Sequence, residues 1–346
     1  MIICGCRNDK AFYHKKKFLG ISFFHHLINR FIKKGGEQIL VKSRKVIIDT
    51  DPGIDDAIAI AIALFDSKLD VQLFTTVAGN VSVEKVTKNL LKLLSFWGKD
   101  VPVAVGAGRP LLREAVDASD VHGSTGMDGY DFPEPNSSLL SEEHAVNLMY
   151  KTLMASDEKI TLIGIGPLTN IALLLRMYPE CSAKIDEIVI MGGSLARGNK
   201  GVLSEFNIAV DPEAAKIVFE SGIPMAMAGL DVGLKALVYP EDSEKIKEMN
   251  PTGNMMYHLF KKYRGGSFKT GLKMYDSCAI AYLLAPEVFE IEETYVTVET
   301  QSTLTAGATL VDLKGYLGQP ANCKVCVDVD EAKFKAWFLD SIKNCK

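Results

Sequence analysis

Four carboxylates lie within eight residues of this chain, in the segment Asp49-Thr50-Asp51-Pro52-Gly53-Ile54-Asp55-Asp56. Carboxylates crowded in this way repel one another, and burial increases that repulsion. The cluster is therefore expected to bind a cation or to hold protons. An acidic helix N-terminus would explain Asp55 and Asp56, but it would leave Asp49 and Asp51 unexplained. Because these ligands are all oxygens, with no Cys or His among them, they predict calcium or magnesium.

The elements around this cluster alternate between strands and helices. The predicted strands are Val46–Ile48, Val71–Val77, Val101–Val105, Ile160–Gly164, Ile188–Met191 and Met225–Leu230, and the predicted helices are 55–65, 83–96, 142–154, 168–176, 211–221 and 278–284. This alternation is typical of an α/β fold with a mostly parallel central sheet and helices on both faces. Ligands of such sheets bind beyond the carboxyl ends of the strands, where the acidic cluster lies.

The remainder of residues 45–346 indicates a single domain with extra strands near its C-terminus. Those strands are predicted at 295–300, 308–313 and 324–329, and a helix is expected from Glu331. The segment 107–138 is long, polar and rich in glycine, which favours a lid or a binding loop. No internal repeat or low-complexity linker divides this part of the chain.

Residues 1–44 form an extension with a different composition. Residues 1–45 carry 11 basic and 2 acidic side chains, a net charge of +9, whereas the remainder carries 28 basic and 41 acidic side chains, a net charge of −13. Apolar residues between Phe18 and Ile32 recur at helical spacing and predict a basic amphipathic helix. This helix could lie on a membrane surface, or the extension could be dispensable. The Gly35-Gly36 pair marks the expected boundary.

The composition also excludes several classes of protein. Hydrophobic residues at 47% and charged residues at 24% are typical of a globular protein. The longest apolar run, 57–65, is too short for a transmembrane segment. An acidic body argues against nucleic acid as the main partner. Among the seven cysteines, Cys323 and Cys326 have no nearby His or Cys that would complete a zinc site, and a reducing cytoplasm is the default compartment.

Polar residues also follow the later predicted strands. Each alone could be a helix cap. Together they supply the carboxylates and amides that suit a polyhydroxylated ligand such as a sugar. These residues are Asn80, Asn170, Asn199, Glu205, Asn207, Asp231 and Asp276.

In order along the chain, these motifs resemble those of the inosine-uridine-preferring nucleoside hydrolases. The acidic run Val46–Ala57 is similar to the metal-binding motif of that family, and the resemblance covers residues 45–340. Within the family, the chain is most similar to the broad-specificity bacterial ribonucleoside hydrolases. The other matching motifs are Thr76–Asn80, Val121-His122-Gly123, Ile165–Asn170, Met191-Gly192-Gly193, Glu205-Phe206-Asn207 and Asp276–Ala279.

The resemblance implies a nucleoside hydrolase fold and calcium-dependent hydrolysis of the N-glycosidic bond of purine and pyrimidine ribonucleosides, for base salvage. It also implies a homo-oligomer, a dimer or a tetramer. Asp51, Asp56, Asp276 and the backbone carbonyl of Ile165 would bind Ca²⁺. Asp51 would be the general base for a metal-bound water, and Asp49 would support the cluster. The implied substrate-binding residues are Asp55, Asn80, Met191, Asn199, Glu205 and Asn207 at the ribose, with Phe206 and a second catalytic candidate, His122, near the base.

The chain departs from the family where the leaving base would be protonated. In the best-known members a histidine precedes the calcium-binding aspartate and serves as general acid, whereas here Tyr275 precedes Asp276. The segment ending at Val232 also continues as Gly233-Leu234-Lys235, without the threonine-polar pair usual there. A phenol with a pKa near 10 donates a proton less readily than imidazolium. Tyr275 is therefore a catalytic candidate, and the preferred base stays open.

Two other functions remain possible from the sequence. A homologue that lost catalysis with the histidine would bind ribonucleosides and calcium without releasing the base. A magnesium-dependent phosphatase would use Asp49 or Asp51 as nucleophile, although Pro52-Gly53-Ile54 does not match the pattern expected after such a nucleophile. Release of ribose, or of phosphate from nucleotides, separates these functions.

Overall fold

The computed structural model describes residues 31–34, 37–40, 43–267 and 269–346. The chain divides into two units, Met1–Ser43 and Arg44–Lys346. In the first unit, β1 (Phe31–Lys34) and β2 (Glu37–Leu40) pair antiparallel. The predicted amphipathic helix was therefore wrong for Phe31 and Ile32, and residues 18–30 of that prediction lie outside the described residues.

Thirteen strands are found in the described part of the second unit. They are β3 (Arg44–Thr50), β4 (Leu69–Thr76), β5 (Val103–Val105), β6 (Ile160–Gly164), β7 (Ile185–Met191), β8 (Met225–Ala228), β9 (Leu237–Val238), β10 (Gly266–Ser267), β11 (Gly271–Lys273), β12 (Phe289–Thr294), β13 (Val296–Val298), β14 (Thr309–Val311) and β15 (Cys323–Val329). Eight of them form the central sheet, in the order β12-β15-β8-β7-β6-β3-β4-β5. Every neighbouring pair is parallel except β12 and β15.

Helices cover both faces of this sheet, which confirms the predicted fold class. The helices are α1 (Ile54–Phe65), α2 (Val83–Trp97), α3 (Ser119–His122), α4 (Ala145–Ala155), α5 (Thr169–Met177), α6 (Phe206–Val210), α7 (Pro212–Phe219), α8 (Leu230–Gly233), α9 (Pro240–Lys247), α10 (Pro251–Phe260), α11 (Tyr275–Leu284) and α12 (Glu331–Asn344). None of the helices in the described ranges is long and apolar enough to cross a membrane.

Strand β3 separates the two layers of the hydrophobic core. Val46 and Ile48 pack into the layer that contains α1, α10, α11 and α12, whereas Ile47 packs into the layer that contains α4, α5 and α7. All three side chains are fully buried. A parallel strand buried on both faces has a continuous apolar sequence, as this one has.

The order of the strands places the acidic cluster at a topological switch point. The chain runs from β3 outward to β4 and β5, then returns to β6 on the other side of β3 and continues to β7 and β8. The carboxyl ends of β3 and β6 are therefore adjacent, and the N–H of Ile165 donates to the carbonyl of Asp49 at 2.9 Å. A crevice at such a point is where α/β sheets bind ligands.

Several predicted elements differ from the structure in their bounds. The strand predicted to reach Leu230 ends at Ala228, because Leu230 begins α8. The helix predicted from Cys278 begins at Tyr275, so that Tyr275 and Asp276 lie in its first turn. Strand β12 was not predicted. The tail strands β13 and β14 pair only with each other, whereas β15 joins the central sheet.

Candidate active site

Asp51 directly follows β3, and only one of its two carboxylate oxygens has a hydrogen-bond partner. Its Oδ2 accepts a hydrogen bond from the backbone N–H of Asn80 at 2.7 Å, and its carbonyl accepts one from the Asn80 amide at 3.0 Å. The Oδ1 atom is buried and has no hydrogen-bond partner. A Cβ at Gly79 would lie 2.1 Å from Oδ2 and one at Gly166 would lie 2.6 Å from Oδ1, so both glycines leave room for the carboxylate.

Asp56 lies in the first turn of α1 and is fully buried. Its Oδ1 accepts from the Thr50 hydroxyl at 2.7 Å, and its Oδ2 accepts from the Gly53 N–H at 2.9 Å and from the Asn80 amide at 3.1 Å. The Pro-Gly turn after β3 therefore folds the start of α1 back onto the end of the strand. Asn80 joins Asp51 to Asp56.

Asp49 supports this arrangement from inside the sheet. Its Oδ1 accepts from the Thr75 hydroxyl and from the Asn170 amide at 2.8 Å. Burial raises the pKa of Asp49 to about 7, although these two hydrogen bonds oppose the shift. Asp49 thereby links the end of β3 to β4 and to α5.

Three carboxylates converge beside Asp51. Asp55, Asp56 and Asp276 each offer an oxygen, and the three oxygens lie within 4.8 Å of one another. Burial, followed by repulsion from Asp56, raises the pKa of Asp55 to about 8. The same two causes hold the pKa values of Asp51 and Asp276 well above their usual range. A cation in this position would reverse these shifts, because it favours the ionised carboxylates.

This donor set fits a hard divalent cation. It consists of carboxylate oxygens with a further unpartnered oxygen on Asp51, and calcium takes six to eight such ligands. The converging group differs from the predicted ligands in one member, since it includes Asp55 rather than Asp51. Ile165, whose carbonyl was the fourth predicted ligand, lines the same cavity.

One end of the cavity is formed by α6 and by the ends of β6 and β7. Glu205 caps α6, and its carboxylate accepts from the N–H groups of Asn207 at 3.0 Å and Gly193 at 3.1 Å. The Asn207 amide donates to the carbonyls of Met191 at 3.0 Å and Ile165 at 3.3 Å. Burial raises the pKa of Glu205 to about 7. These contacts hold the Glu205 carboxylate and the Asn207 amide in fixed positions beside the cavity.

Aromatic side chains form the opposite part of the cavity. His122 is buried, and its Nδ1 lies 3.9 Å from Asp55 Oδ1. Its ring packs against Tyr263, with 5.4 Å between ring centroids. The Tyr263 hydroxyl hydrogen-bonds Asp55 and also lies 3.1 Å from the carbonyl of Lys273. Burial lowers the pKa of His122 to about 4 and raises the pKa of Tyr275 above its usual range.

The cavity has a volume of about 260 Å³ and brings together most of the predicted site residues. The predicted residues that line it are Asp55, Asn80, His122, Ile165, Met191, Asn199, Glu205, Phe206, Asn207, Tyr275 and Asp276. Asp51 and Asp56 are not part of the lining but accept hydrogen bonds from Asn80, which is, and Asp49 is also outside the lining. Asp231 is not in the lining; its carboxylate accepts from the N–H of Leu195 at 2.6 Å.

Sequence reasoning missed Tyr263 and Arg264. Tyr263 is buried in the lining, and the backbone N–H of Arg264 donates to the carbonyl of Val121 at 3.1 Å, next to His122. Both follow α10 and carry no motif. The sequence feature that could have indicated them is the aromatic and basic pair Tyr263-Arg264, which directly precedes Gly265-Gly266.

Comparisons with known proteins agree with this geometry. The family model described as inosine-uridine preferring nucleoside hydrolase matches residues 46–336. The non-specific ribonucleoside hydrolase RihC of Salmonella paratyphi B is 52% identical over 301 residues, covering 87% of this chain and 98% of that protein. A purine-preferring ribonucleoside hydrolase from Gardnerella vaginalis superposes with a TM-score of 0.81 at 27% identity, covering 87% of this chain and 99% of that one. An inosine-guanosine nucleoside hydrolase superposes with a TM-score of 0.80 at 32% identity, covering 87% of this chain and 98% of that one.

Proposed function

The chain belongs to the inosine-uridine preferring nucleoside hydrolase family, and we propose that it is a calcium-dependent, broad-specificity ribonucleoside hydrolase. As a member of that family it is an enzyme that cleaves the N-glycosidic bond of ribonucleosides, which yields ribose and the free base. The observation that carries the calcium proposal is the unpartnered, buried Oδ1 of Asp51 beside three converging carboxylates.

We assign the cation to Asp51, Asp56 and Asp276 together with the carbonyl of Ile165. When bound, calcium supplies positive charge that orients the ribose diol and acidifies a water. Asp51 would also accept the proton of the attacking water, because its carboxylate lies in the same cluster and is fixed in place by the backbone N–H of Asn80. Asp49, through Thr75 and Asn170, keeps β3 and its neighbours in place behind Asp51.

The ribose is bound by the carboxylates and amides of the lining. Asp55, Asn80, Glu205 and Asn207 line the cavity, with Met191 and Asn199 beside the sugar. Water attacks the carbon that loses the base, so the product is inverted. The sugar becomes positively charged as the bond breaks, and the buried carboxylates stabilise that charge.

The base lies against His122, Phe206 and Tyr275. The pKa of His122 is lowered to about 4 and that of Tyr275 is raised, both by burial, so these side chains are neutral near neutral pH. They therefore assist the leaving base as hydrogen-bond donors rather than by transferring a full proton.

The proposal is tested by measuring release of base and of reducing sugar from inosine, adenosine, guanosine, uridine and cytidine in the presence of calcium. Asp51→Asn should abolish release, whereas Asp100→Asn, at an exposed position outside the cavity, should leave it unchanged. Binding of nucleosides without release of base would favour the inert binding homologue. Release of phosphate from nucleotides with magnesium would favour the phosphatase.

We also propose that the enzyme is a homo-oligomer, a dimer or a tetramer, that acts in the cytoplasm. Exposed apolar side chains near the C-terminus support self-association, since Leu304 and Tyr316 are each 85% exposed. The five cysteines of the described residues are free, as expected in a reducing compartment. Light scattering on the purified protein measures the number of subunits.

A further inference from the structure

The ring of Tyr275 packs directly on the backbone of Gly233. A Cβ atom at position 233 would lie 2.2 Å from Cδ1 of Tyr275 and 3.0 Å from its Cε1. Non-bonded carbon atoms attract best at about 3.5–4.0 Å, so a separation near 2 Å is a severe clash. Position 233 therefore has no room for any side chain while the Tyr275 ring stays where it is.

The backbone conformation does not explain this glycine. Gly233 ends helix α8, is buried, and is not among the glycines with positive φ. A glycine in a helical turn is less stable than alanine by roughly 1 kcal/mol. The contact with Tyr275 is thus the physical reason for glycine at this position.

Both sides of the contact are anchored, so neither can move away easily. Helix α8 is tied to the segment after β7, since the N–H of Leu230 donates to the carbonyl of Gly193 at 2.8 Å. The N–H of Met274, next to Tyr275, donates to the carbonyl of Ala236 at 2.9 Å. A side chain at position 233 must therefore rotate the Tyr275 ring rather than separate the two segments.

On the basis of the proposed function, we propose that Gly233 is a positioning residue that sets the direction of the Tyr275 hydroxyl toward the leaving base. Tyr275 lines the cavity, whereas Gly233 does not. Rotation of the ring would move its hydroxyl across the space that the base occupies. The ribose-binding residues Asn80, Glu205 and Asn207 would keep their contacts. Gly233 and Tyr275 thus act as one unit that determines how the base is assisted.

The experiment is a double-mutant cycle with Gly233→Ala, Tyr275→Ala and the double variant. Gly233→Ala should lower kcat/KM for uridine by at least about tenfold, since a displacement near 1 Å can cost that much or more. It should change kcat/KM by less than about twofold for a para-nitrophenyl riboside, whose leaving group needs no donor. In the Tyr275→Ala background, Gly233→Ala should have no further effect. Gly108→Ala is the matched control, because Gly108 is exposed and its nearest neighbour atom lies at 3.4 Å.

A structural role of Gly233 independent of Tyr275 predicts the opposite pattern. The loss on Gly233→Ala would then persist in the Tyr275→Ala background and would affect the nitrophenyl riboside equally; that result overturns the inference. If Gly233→Ala does not fold, recovery of folding in the double variant supports the contact, and failure to recover contradicts it. A wild-type protein that cleaves no riboside contradicts the proposed function instead.

Discussion

The Nδ1 atom of His122 accepts a hydrogen bond from the backbone N–H of Ile54 at 3.1 Å. This contact connects His122, the last residue of α3, to Ile54, the first residue of α1. Ile54 lies next to the acidic cluster. Because Nδ1 is an acceptor, the neutral imidazole carries its proton on Nε2. Burial lowers the pKa of His122 to about 4, which favours this neutral form. His122 can thus donate a hydrogen bond from Nε2 but is a poor source of a full proton.

We expect His122→Ala to lower kcat/KM by about tenfold or more, because the buried N–H of Ile54 loses its acceptor and the base loses a donor. The loss should be the same at about pH 6 and about pH 8.5, since the imidazole is neutral at both. Steady-state rates with uridine at the two pH values provide the measurement. A loss confined to the lower pH would mean that the imidazolium is the active form.

Removal of calcium should abolish hydrolysis and destabilise the protein. None of the residues that shift the pKa values of Asp55, Asp56 and Asp276 carries a basic side chain. Chelation followed by return of calcium should remove and then restore base release. A ligand at 100 times its Kd stabilises the folded state by about 2.7 kcal/mol, so the melting temperature should rise on return. Full activity in a metal-free preparation would contradict the predicted dependence on calcium.

The metal-free protein should become less stable as the pH rises. Burial raises the pKa values of Asp49 and Glu205 to about 7 and of Asp55, with repulsion from Asp56, to about 8. The folded state then holds more protons than the unfolded state between about pH 4 and pH 8, so stability falls across that interval. Melting temperatures in the presence of chelator should decrease from about pH 5.5 to pH 8.5, and Glu205→Gln should reduce the slope. A rise over the same interval would be inconsistent with these shifts.

The acidic cluster could be predicted from sequence because its members are close along the chain. Asp49 and Asp51 share a strand end, and the turn at Pro52 and Gly53 returns Asp56 to them. The residues after the other parallel strands could be placed in the same way, since the carboxyl ends of such strands meet at one edge.

Contacts that depend on packing between distant segments could not be predicted. Tyr263 contacts Asp55 and His122 because α10 packs on α1. The residue after it, Arg264, also hydrogen-bonds the carbonyl of Val121, which holds this segment beside His122. The unusual Gly233 was visible in the sequence, but its contact with Tyr275 requires α8 and α11 to be adjacent. Strand β12 was missed because three of its six residues are glutamates, which are uncommon in strands and are tolerated here at the edge of the sheet.

Deletion of residues 1–43 should leave folding and hydrolysis intact. The truncated chain begins at Arg44, whose N–H donates to the carbonyl of Lys68 at 2.7 Å and whose guanidinium lies 3.3 Å from Glu187. Strand β3 and the acidic cluster are therefore complete. Thermal melting and uridine hydrolysis of the full and truncated proteins should agree. An insoluble product, or one that melts well below the full chain, would show that the extension stabilises the enzyme.

We propose that the side chain of Tyr275 influences which bases the enzyme releases best. A purine base commonly leaves after protonation at N7, whereas a pyrimidine base relies more on stabilisation of charge at O2. Burial, followed by the charges of Asp55 and Glu205, raises the pKa of Tyr275, so its hydroxyl stays protonated and donates a hydrogen bond. We therefore expect uridine to be at least as good a substrate as inosine.

Two substitutions of Tyr275 test this relationship. Tyr275→His should raise kcat/KM for inosine relative to uridine, because imidazole is the better acid near neutral pH. Tyr275→Phe keeps the ring against Gly233 and removes only the hydroxyl, so it should depress the activity that uses the hydrogen bond by about tenfold or more. The measurement is kcat/KM for uridine and inosine in the three proteins. If the ratio of the two values is unchanged across the set, Tyr275 does not act on the leaving base, and the Nε2 proton of His122 becomes the first candidate for that role.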